Sequence, residues 1–427
     1  MDKLHPEEGY WREKIEQLQL IRFKNTLERA KKSPFYAKKL KHIAAEDIKS
    51  LQDIQNIPFT TKDDLREHYP YGFLTVSRDK LVRLHASSGT TGAPTAVLYT
   101  ENDLNTWADL MARCLYMVGV RRQDVFQNMT GYGLFTGGLG LHYGAERLGC
   151  LTIPAGAGNS KRQIKLLQDF EVTVVHIIPS YALHLATVFE QLGLEPKSFN
   201  LRIFLIGAEP HTEETRRRIE QIYGVKAFNS YGLSEMNGPG VAFECPYQNG
   251  MHVWEDAYLA EILDPHTLTP VADGKVGELV FTTLAREAMP LIRYRTKDLT
   301  RFLTGKCACG RAHKRIDRIT GRTDDMIILK GVNIYPMQVE KILMSMQEVG
   351  QNYLIELYKE GHLDQMRVKV EIKEEFFEED MRKLKALQTK IAKRLREEIL
   401  ITPRVELVEH NSLPKTEGKA VRVIDLR

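Results

Sequence analysis

Between about residues 100 and 230, short runs rich in valine and isoleucine alternate with longer amphipathic segments, and this pattern narrows the choice of fold sharply. A helix-like stretch at 103–118 is followed by segments at 148–153, 164–170, 172–178, 181–192 and 201–206. Parallel strands need a crossover long enough to hold a helix, so such alternation predicts βαβ units and a mostly parallel sheet. From about residue 250 the pattern changes. Segments 258–263 and 277–283 alternate apolar and polar residues around the turn signal Asp273-Gly274, which predicts antiparallel strands. After Gly321 comes a third pattern: an apolar run at 327–329, a helix near 337–346, strands at 349–357 and 366–372, a charged helix at 378–398 and a strand at 405–408. The expected fold class is α/β. A large N-terminal body (1–323) has a mostly parallel sheet and an antiparallel subdomain, and a small mobile C-terminal α+β domain (324–427) follows. Ahead of them, residues 1–80 read as polar and helical, with Ile15, Leu18, Ile21, Leu27 and Ala30 at near-helical spacing.

A chain of 427 residues is too long for one small core, which agrees with a division into two units. Sixty Lys and Arg against 56 Asp and Glu leave a net charge of +4, spread along the chain without a basic stripe. Nucleic acid is therefore not an expected partner. The run Arg216–Arg218 lies beside Glu213, Glu214 and Glu220 and reads as a solvated helix face. No apolar stretch reaches the roughly 18 residues that a membrane span needs, so no membrane association is expected. The polar N-terminus lacks an apolar signal core, and five cysteines suggest thiols rather than a disulfide framework. A cytoplasmic protein is the expectation.

Six segments have the composition of a ligand site. The loop His85-Ala-Ser-Ser-Gly-Thr-Thr-Gly-Ala-Pro-Thr95 combines two glycines with hydroxyls and exposed N–H groups that can wrap an anion. It lacks the G-x-x-x-x-G-K-[ST] of a Walker loop, and its bland alternative is a flexible Ser/Gly loop. Ile206-Gly-Ala-Glu-Pro210 closes an apolar run at a strand end, the edge where open α/β sheets bind ligands. Tyr231-Gly-Leu-Ser-Glu235 carries a carboxylate suited, with phosphate oxygens, to a hard cation. Tyr294-Arg-Thr-Lys-Asp298 offers a bidentate acceptor, though a surface salt bridge would look the same. Segments 319–336 and 413–419 complete the set, the latter a Lys-rich stretch that in isolation would read as solvated.

Their order and spread from residue 85 to 419 resemble the adenylate-forming (acyl-CoA synthetase) superfamily over essentially the whole chain, in its phenylacetate–CoA ligase branch. The resemblance implies that Ser87, Ser88, Gly89, Thr90, Thr91 and Gly92 form a phosphate loop, with Thr90 among the catalytic groups. It departs at Ala93, where a lysine is usual, a change expected to weaken the grip on nucleotide. Gly207, Ala208, Glu209 and Pro210 are expected to line an adenine pocket with Tyr231 and Gly232, while Ser234 meets the α-phosphate and Glu235 holds magnesium. Asp298 matches the ribose-binding aspartate, Arg322 a nucleotide contact, Asp324 the hinge and Lys419 the catalytic lysine. Tyr132, Phe135 and Gly138 would form a slot for an aromatic ring, with core packing as the alternative for the two aromatics.

The implied reaction is adenylation of an aromatic carboxylic acid by ATP and magnesium, then acyl transfer to coenzyme A, releasing AMP and pyrophosphate. Adenylyl transfer to a deazaflavin hydroxyl, or nucleotide binding without catalysis, are the competing readings. Dimers are common in this branch, so a homodimer stays open.

Outside these motifs, Cys307-Ala-Cys309 with Cys245 and His252 could complete a tetrahedral structural zinc site, His313 being a substitute ligand. The alternative is reduced surface cysteines. Cys114 and Cys150 lie among apolar neighbours in the sequence and are expected in the core.

Overall fold

The computed structural model describes residues 3–87, 95–134, 136–361, 363–376, 381–410, 412–413 and 420–427. In the N-terminal part, helix α1 (Arg12–Ala30) buries Ile15, Gln19, Phe23, Thr26, Leu27 and Ala30, a stripe at three- and four-residue spacing. Two short helices follow, α2 (Pro34–Lys39) and α3 (Lys62–Glu67). Thr61 and Asp64 cap α3 reciprocally: the Thr61 hydroxyl accepts from the Asp64 N–H at 3.2 Å, and the Asp64 carboxylate accepts from the Thr61 N–H at 2.8 Å. Strands β1 (Leu81–Ser87) and β2 (Thr95–Thr100) pair antiparallel, with His85 opposite Val97. The same kind of cap, Thr100 with Asp103, starts α4 (Glu101–Met117).

The centre is a nine-stranded mixed sheet. Its parallel part comprises β3 (Val125–Asn128), β4 (Leu151–Ile153), β5 (Val174–Ile177), β6 (Ile203–Gly207) and β7 (Lys226–Leu233), lying in the order β4-β3-β5-β6-β7. Helices α5 (Gly137–Leu148), α6 (Ser160–Asp169), α7 (Pro179–Gln191) and α8 (Glu213–Tyr223) alternate with these strands. Beyond β7 the sheet turns antiparallel through β8 (Gly238–Glu244), β9 (Met251–Val253), Arg315–Ile316 and Phe302–Leu303. A second, antiparallel sheet joins β10 (Tyr258–Leu263), β11 (Gly277–Thr283), β12 (Tyr294–Thr300) and Gly321–Arg322.

Alternation along β6 divides the core. Ile203 and Leu205 join Trp107, Phe126 and Phe228 on the α4–α5 side, whereas Phe204 and Ile206 join Ile164, Tyr181 and Ile219 on the other. The second cluster continues into the C-terminal region through Leu343, Ile355, Val368 and Ile391. That region carries a sheet of Arg404–Val408, Leu363–Ile372, Val349–Glu360 and Val423–Asp425 in that order, with α9 (Pro336–Met344) and α10 (Met381–Ile399). Although strongly charged, α10 buries Ile391, Leu395 and Ile399, one residue per turn.

One expectation, the solvated face of α8, holds only in part. Of the α8 arginines only Arg217 is exposed, beside Glu213, whereas Arg216 is buried between Glu213 and Glu220 and Arg218 reaches across to the carbonyls of Met346 and Gly350 at 2.9 and 2.6 Å. Contacts with the following region, invisible to local charge patterning, decide this. None of the described helices is long and apolar enough to cross a membrane.

Candidate active site

β5, β6 and β7 run parallel, so their C-terminal ends share one edge of the sheet, and a cavity of about 360 Å³ opens there. Gly207 closes β6 and Ala208, Glu209 and Pro210 follow it; all four border the cavity. Ala208 holds a φ of +69°, a left-handed turn that redirects the chain away from the strand. The Glu209 carboxylate accepts from the Ser180 N–H at 2.6 Å and from the Ala420 N–H at 3.3 Å. Burial raises the Glu209 pKa against those two N–H donors. The bond to Ala420 brings the residue that follows Lys419 to the rim. Lys419 itself, with Ser88, Gly89, Thr90, Thr91, Gly92 and Phe135, lies outside the described residues, and Ser87 is the last residue of β1.

β7 and β8 bring Tyr231, Gly232, Ser234 and Glu235 to the same cavity. Gly232 is obligatory, since a Cβ there would overlap the Gly238 carbonyl across the tight turn. The Ser234 hydroxyl lies 3.3 Å from that of Thr136 at the start of α5. Tyr231 donates its hydroxyl to Asp298 Oδ2 at 2.6 Å, and Asp298 Oδ1 accepts from Arg322 Nη1 at 2.8 Å. Pairing of β12 with Gly321–Arg322 sets Asp298 opposite Arg322, so the contact follows from register. Burial pushes the Asp298 carboxyl up, opposed by the Arg322 charge and the Tyr231 hydrogen bond. Arg322 also forms a two-point pair with Asp324, Nε to Oδ1 and Nη2 to Oδ2, both at 2.9 Å.

Glu235 is 4% exposed, and its backbone carbonyl accepts from Arg286 at 2.7 Å. Its carboxylate has a cationic neighbour in Lys62 Nζ, 3.4 Å away. A buried carboxylate held at that distance on a nucleotide-sized cavity has the chemistry of a hard-cation ligand, with oxygens to offer and room for more. Lys62 was not legible in the sequence, because the capping pair around it explains Thr61-Lys62-Asp63-Asp64 without any site.

Neither described member of the expected aromatic slot lines the cavity. Thr136 and Gly137 border the cavity, but Tyr132 and Gly138 do not. Tyr132 packs edge-on against His142, centroids 5.7 Å apart, and its hydroxyl lies 3.2 Å from His142 Nδ1. The Gly138 carbonyl accepts from Asn128 Nδ2 at 2.8 Å. His176 and Ser230 border the cavity instead. Neither belongs to a motif, and sheet register alone brings them there.

Away from the cavity, Cys245, His252, Cys307 and Cys309 are all buried and their ligand atoms lie within 4.8 Å of one another. Buried rather than on the surface, as the alternative had it, these thiols face each other: Cys245 Sγ is 3.7 Å from Cys307 Sγ, and Cys309 Sγ is 3.2 Å from His252 Nε2. Two sulfurs on a tetrahedral zinc with bonds of about 2.3 Å stand about 3.8 Å apart, so the donor set fits that ion. Hydrogen bonding from Cys245, then from His252, holds the Cys309 thiol far below its usual pKa. His313 does not join the set. Its Nδ1 accepts from the Glu255 N–H at 3.1 Å, and its Nε2 lies 3.3 Å from the Glu7 carbonyl. Cys114 and Cys150 are buried apart from the cluster.

The model of the family described as AMP-binding enzyme matches residues 23–284, and that of the AMP-binding enzyme C-terminal domain matches 331–427. The chain is 45% identical over 417 residues to a phenylacetate-coenzyme A ligase of Pseudomonas putida, covering 97% of this chain and 94% of that protein. It is 46% identical over 434 residues to a phenylacetate-coenzyme A ligase of Thermus thermophilus, covering 97% of each. Among solved structures, 2-hydroxyisobutyryl-CoA ligase in its postadenylation state with R3-HIB-AMP superposes with a TM-score of 0.93 at 30% identity, covering 98% of this chain and 91% of the other. In its thioesterification state with 2-HIB-AMP and CoA, the TM-score is 0.74 at 31% identity, over 99% and 92% of the two chains.

Proposed function

Because the chain belongs to the AMP-binding enzyme family, we infer that it joins an aromatic carboxylic acid to coenzyme A with ATP, releasing AMP and pyrophosphate, in the manner of a phenylacetate–CoA ligase. One observation carries this function: Tyr231, Glu235, Asp298 and the segment 207–210, distant in sequence, meet on a single cavity at the C-terminal edge of the sheet. The acid's carboxylate oxygen attacks the α-phosphorus of ATP and pyrophosphate leaves. The CoA thiol then attacks the acyl carbon and AMP leaves. Both steps have competent leaving groups, so holding the reactants in line contributes most of the acceleration.

Asp298 presents an acceptor to the ribose, and Gly207 to Pro210 wall the base with Tyr231, whose hydroxyl donates to Asp298. Glu235 would hold magnesium, which when bound offsets charge on the triphosphate. Lys419 stabilises the first transition state from a C-terminal domain spanning 324–427 that swivels on the body, 1–323, about Asp324. The better superposition on the postadenylation state than on the thioesterification state of one relative supports an adenylation-side orientation here, as does the Glu209–Ala420 bond. Cys245, His252, Cys307 and Cys309 would hold a structural zinc ion, since all four positions of a tetrahedron are filled by protein. Five free thiols suit a reducing cytoplasm.

The test is AMP and pyrophosphate production over a panel of aryl acids, with and without CoA. CoA-dependent thioester formation is expected. Nucleotide appearing on a deazaflavin hydroxyl, or binding without turnover, would overturn the proposal.

A further inference from the structure

Helix α8 lies in the body and helix α9 in the C-terminal region, yet each carries a charged side chain that ends on the other. Glu340, 8% exposed near the middle of α9, reaches the N-terminal end of α8. Its Oε1 accepts from the Thr212 N–H at 3.1 Å and from the Thr215 hydroxyl at 2.7 Å. Thr212 is the residue that caps α8, its own hydroxyl accepting from the Thr215 N–H at 3.2 Å. An anion at this point satisfies a backbone N–H that the helix leaves open and meets the positive end of the helix dipole. In return, Arg218 on α8 donates to the carbonyls of Met346 and Gly350, which lie just beyond the C-terminal end of α9.

The same carboxylate is linked to the end of the chain. Glu340 Oε2 accepts from the Tyr353 hydroxyl at 2.9 Å. The Arg422 guanidinium lies 4.5 Å from the Tyr353 ring centroid, and its Nη1 donates to the Tyr353 carbonyl at 3.3 Å. Arg422 follows Lys419 by three residues in the sequence, and between them Ala420 donates its N–H to Glu209 at the cavity rim. Seating of α9 on α8 is thereby coupled to the segment that carries Lys419.

Among the described residues Arg218 has carbonyls rather than a carboxylate as partners. Both charged groups give up water when the two helices meet and regain it when they part. Desolvation offsets much of the attraction in such contacts, so they fix orientation more than they add affinity. That suits a joint that opens in every turnover.

We propose that Glu340 and Arg218 are positioning residues for adenylation: they clamp the C-terminal domain in the orientation that brings Lys419 to the cavity, and release it for the CoA step. The clamp rests on the ligase function and swivelling domain above and names the residues that set the balance between its two orientations.

The two half-reactions are measured separately in single turnovers, with the most active acid of the aryl panel, phenylacetate being tried first. One is pyrophosphate release from ATP, magnesium and acid without CoA; the other is thioester formation from the supplied acyl-adenylate and CoA. Glu340→Gln and Arg218→Met should slow pyrophosphate release by about tenfold or more, the scale of a lost hydrogen bond to a charged group. Thioester formation should stay within about twofold of the native rate or rise. Thr215→Val keeps its shape and lies on the body, so it decides the matter if a charged variant fails to fold. It should slow pyrophosphate release by about threefold. Combined with Glu340→Gln it should add little, because both act on one contact. Equal loss in the two half-reactions, or unchanged pyrophosphate release, overturns the clamp and leaves the ligase function standing. If the native chain forms no CoA-dependent AMP from any aryl acid, the ligase function falls and the clamp with it.

Discussion

Glu235 and Lys419 divide the chemistry between a buried carboxylate and a cation near the end of the chain. Glu235→Gln keeps the volume but removes the charge that a magnesium–triphosphate complex needs. Pyrophosphate release should drop by about 100-fold or more, checked by a coupled phosphate assay across magnesium concentrations. Lys419→Ala should abolish adenylate formation yet largely spare thioester formation from supplied acyl-adenylate; equal loss of both steps would refute the swivelling domain. Two buried histidines set the acid limit of stability. Burial lowers the pKa of His176 and His211 to about 3, and His211 Nε2, 3.1 Å from Arg318 Nη1, serves as an acceptor. Unfolded histidine titrates near 6.5, so between about pH 3 and 6.5 the unfolded chain binds the extra protons. Each ring then contributes stability that is lost as pH falls, about 1.4 kcal/mol per pH unit. Urea midpoints from pH 6.5 to 5 should decline, and His211→Gln should flatten the slope.

At the scale of elements, the β7–β8 turn and the cysteine knuckle are the sensitive joints. Gly232 lies where the two strands approach too closely for a side chain, its Cβ position overlapping the Gly238 carbonyl. Gly232→Ala forces the turn open beside Tyr231 and Glu235. It should cost about 1–3 kcal/mol, read by urea denaturation, and lose adenylation together with stability. The knuckle links Cys307 and Cys309 to Cys245 after β8 and His252 on β9. If zinc bridges these segments, one ion per chain should be found by elemental analysis. Chelation or Cys309→Ser should then lower Tm without altering the KM for ATP, because the cluster stands apart from the cavity.

Across the whole molecule, a buried charge network ties the first residues to the far end of the body. Arg311 and Glu8, both fully buried, pair at 2.6 Å. Arg113 forms a two-point pair with Asp256 at 2.8 and 3.0 Å, with its guanidinium 4.2 Å from the Trp254 ring centroid. Arg12 pairs with Glu255. Removing one partner strands another charge in the interior, so Glu8→Gln should destabilise by about 3–5 kcal/mol, measured by urea titration at neutral pH. The double variant Glu8→Gln with Arg311→Met should recover part of that loss.

What the sequence determined by itself was periodicity and local chemistry. A period of two against 3.6 separates strand from helix, which is why 258–263 and 277–283 coincide with β10 and β11. The glycine-bearing segment at the end of β6 points to a ligand edge because open α/β sheets bind ligands beyond the carboxyl ends of their strands. Only tertiary structure decided which distant groups meet. Register set Asp298 opposite Arg322, parallel pairing carried His176 and Ser230 to one face, and packing of α3 brought Lys62 to Glu235. It also turned the charged face of α8 into an anchor for the C-terminal region. Local patterns report the face a residue presents, whereas its partner depends on strand order and helix packing, which are properties of the assembled chain.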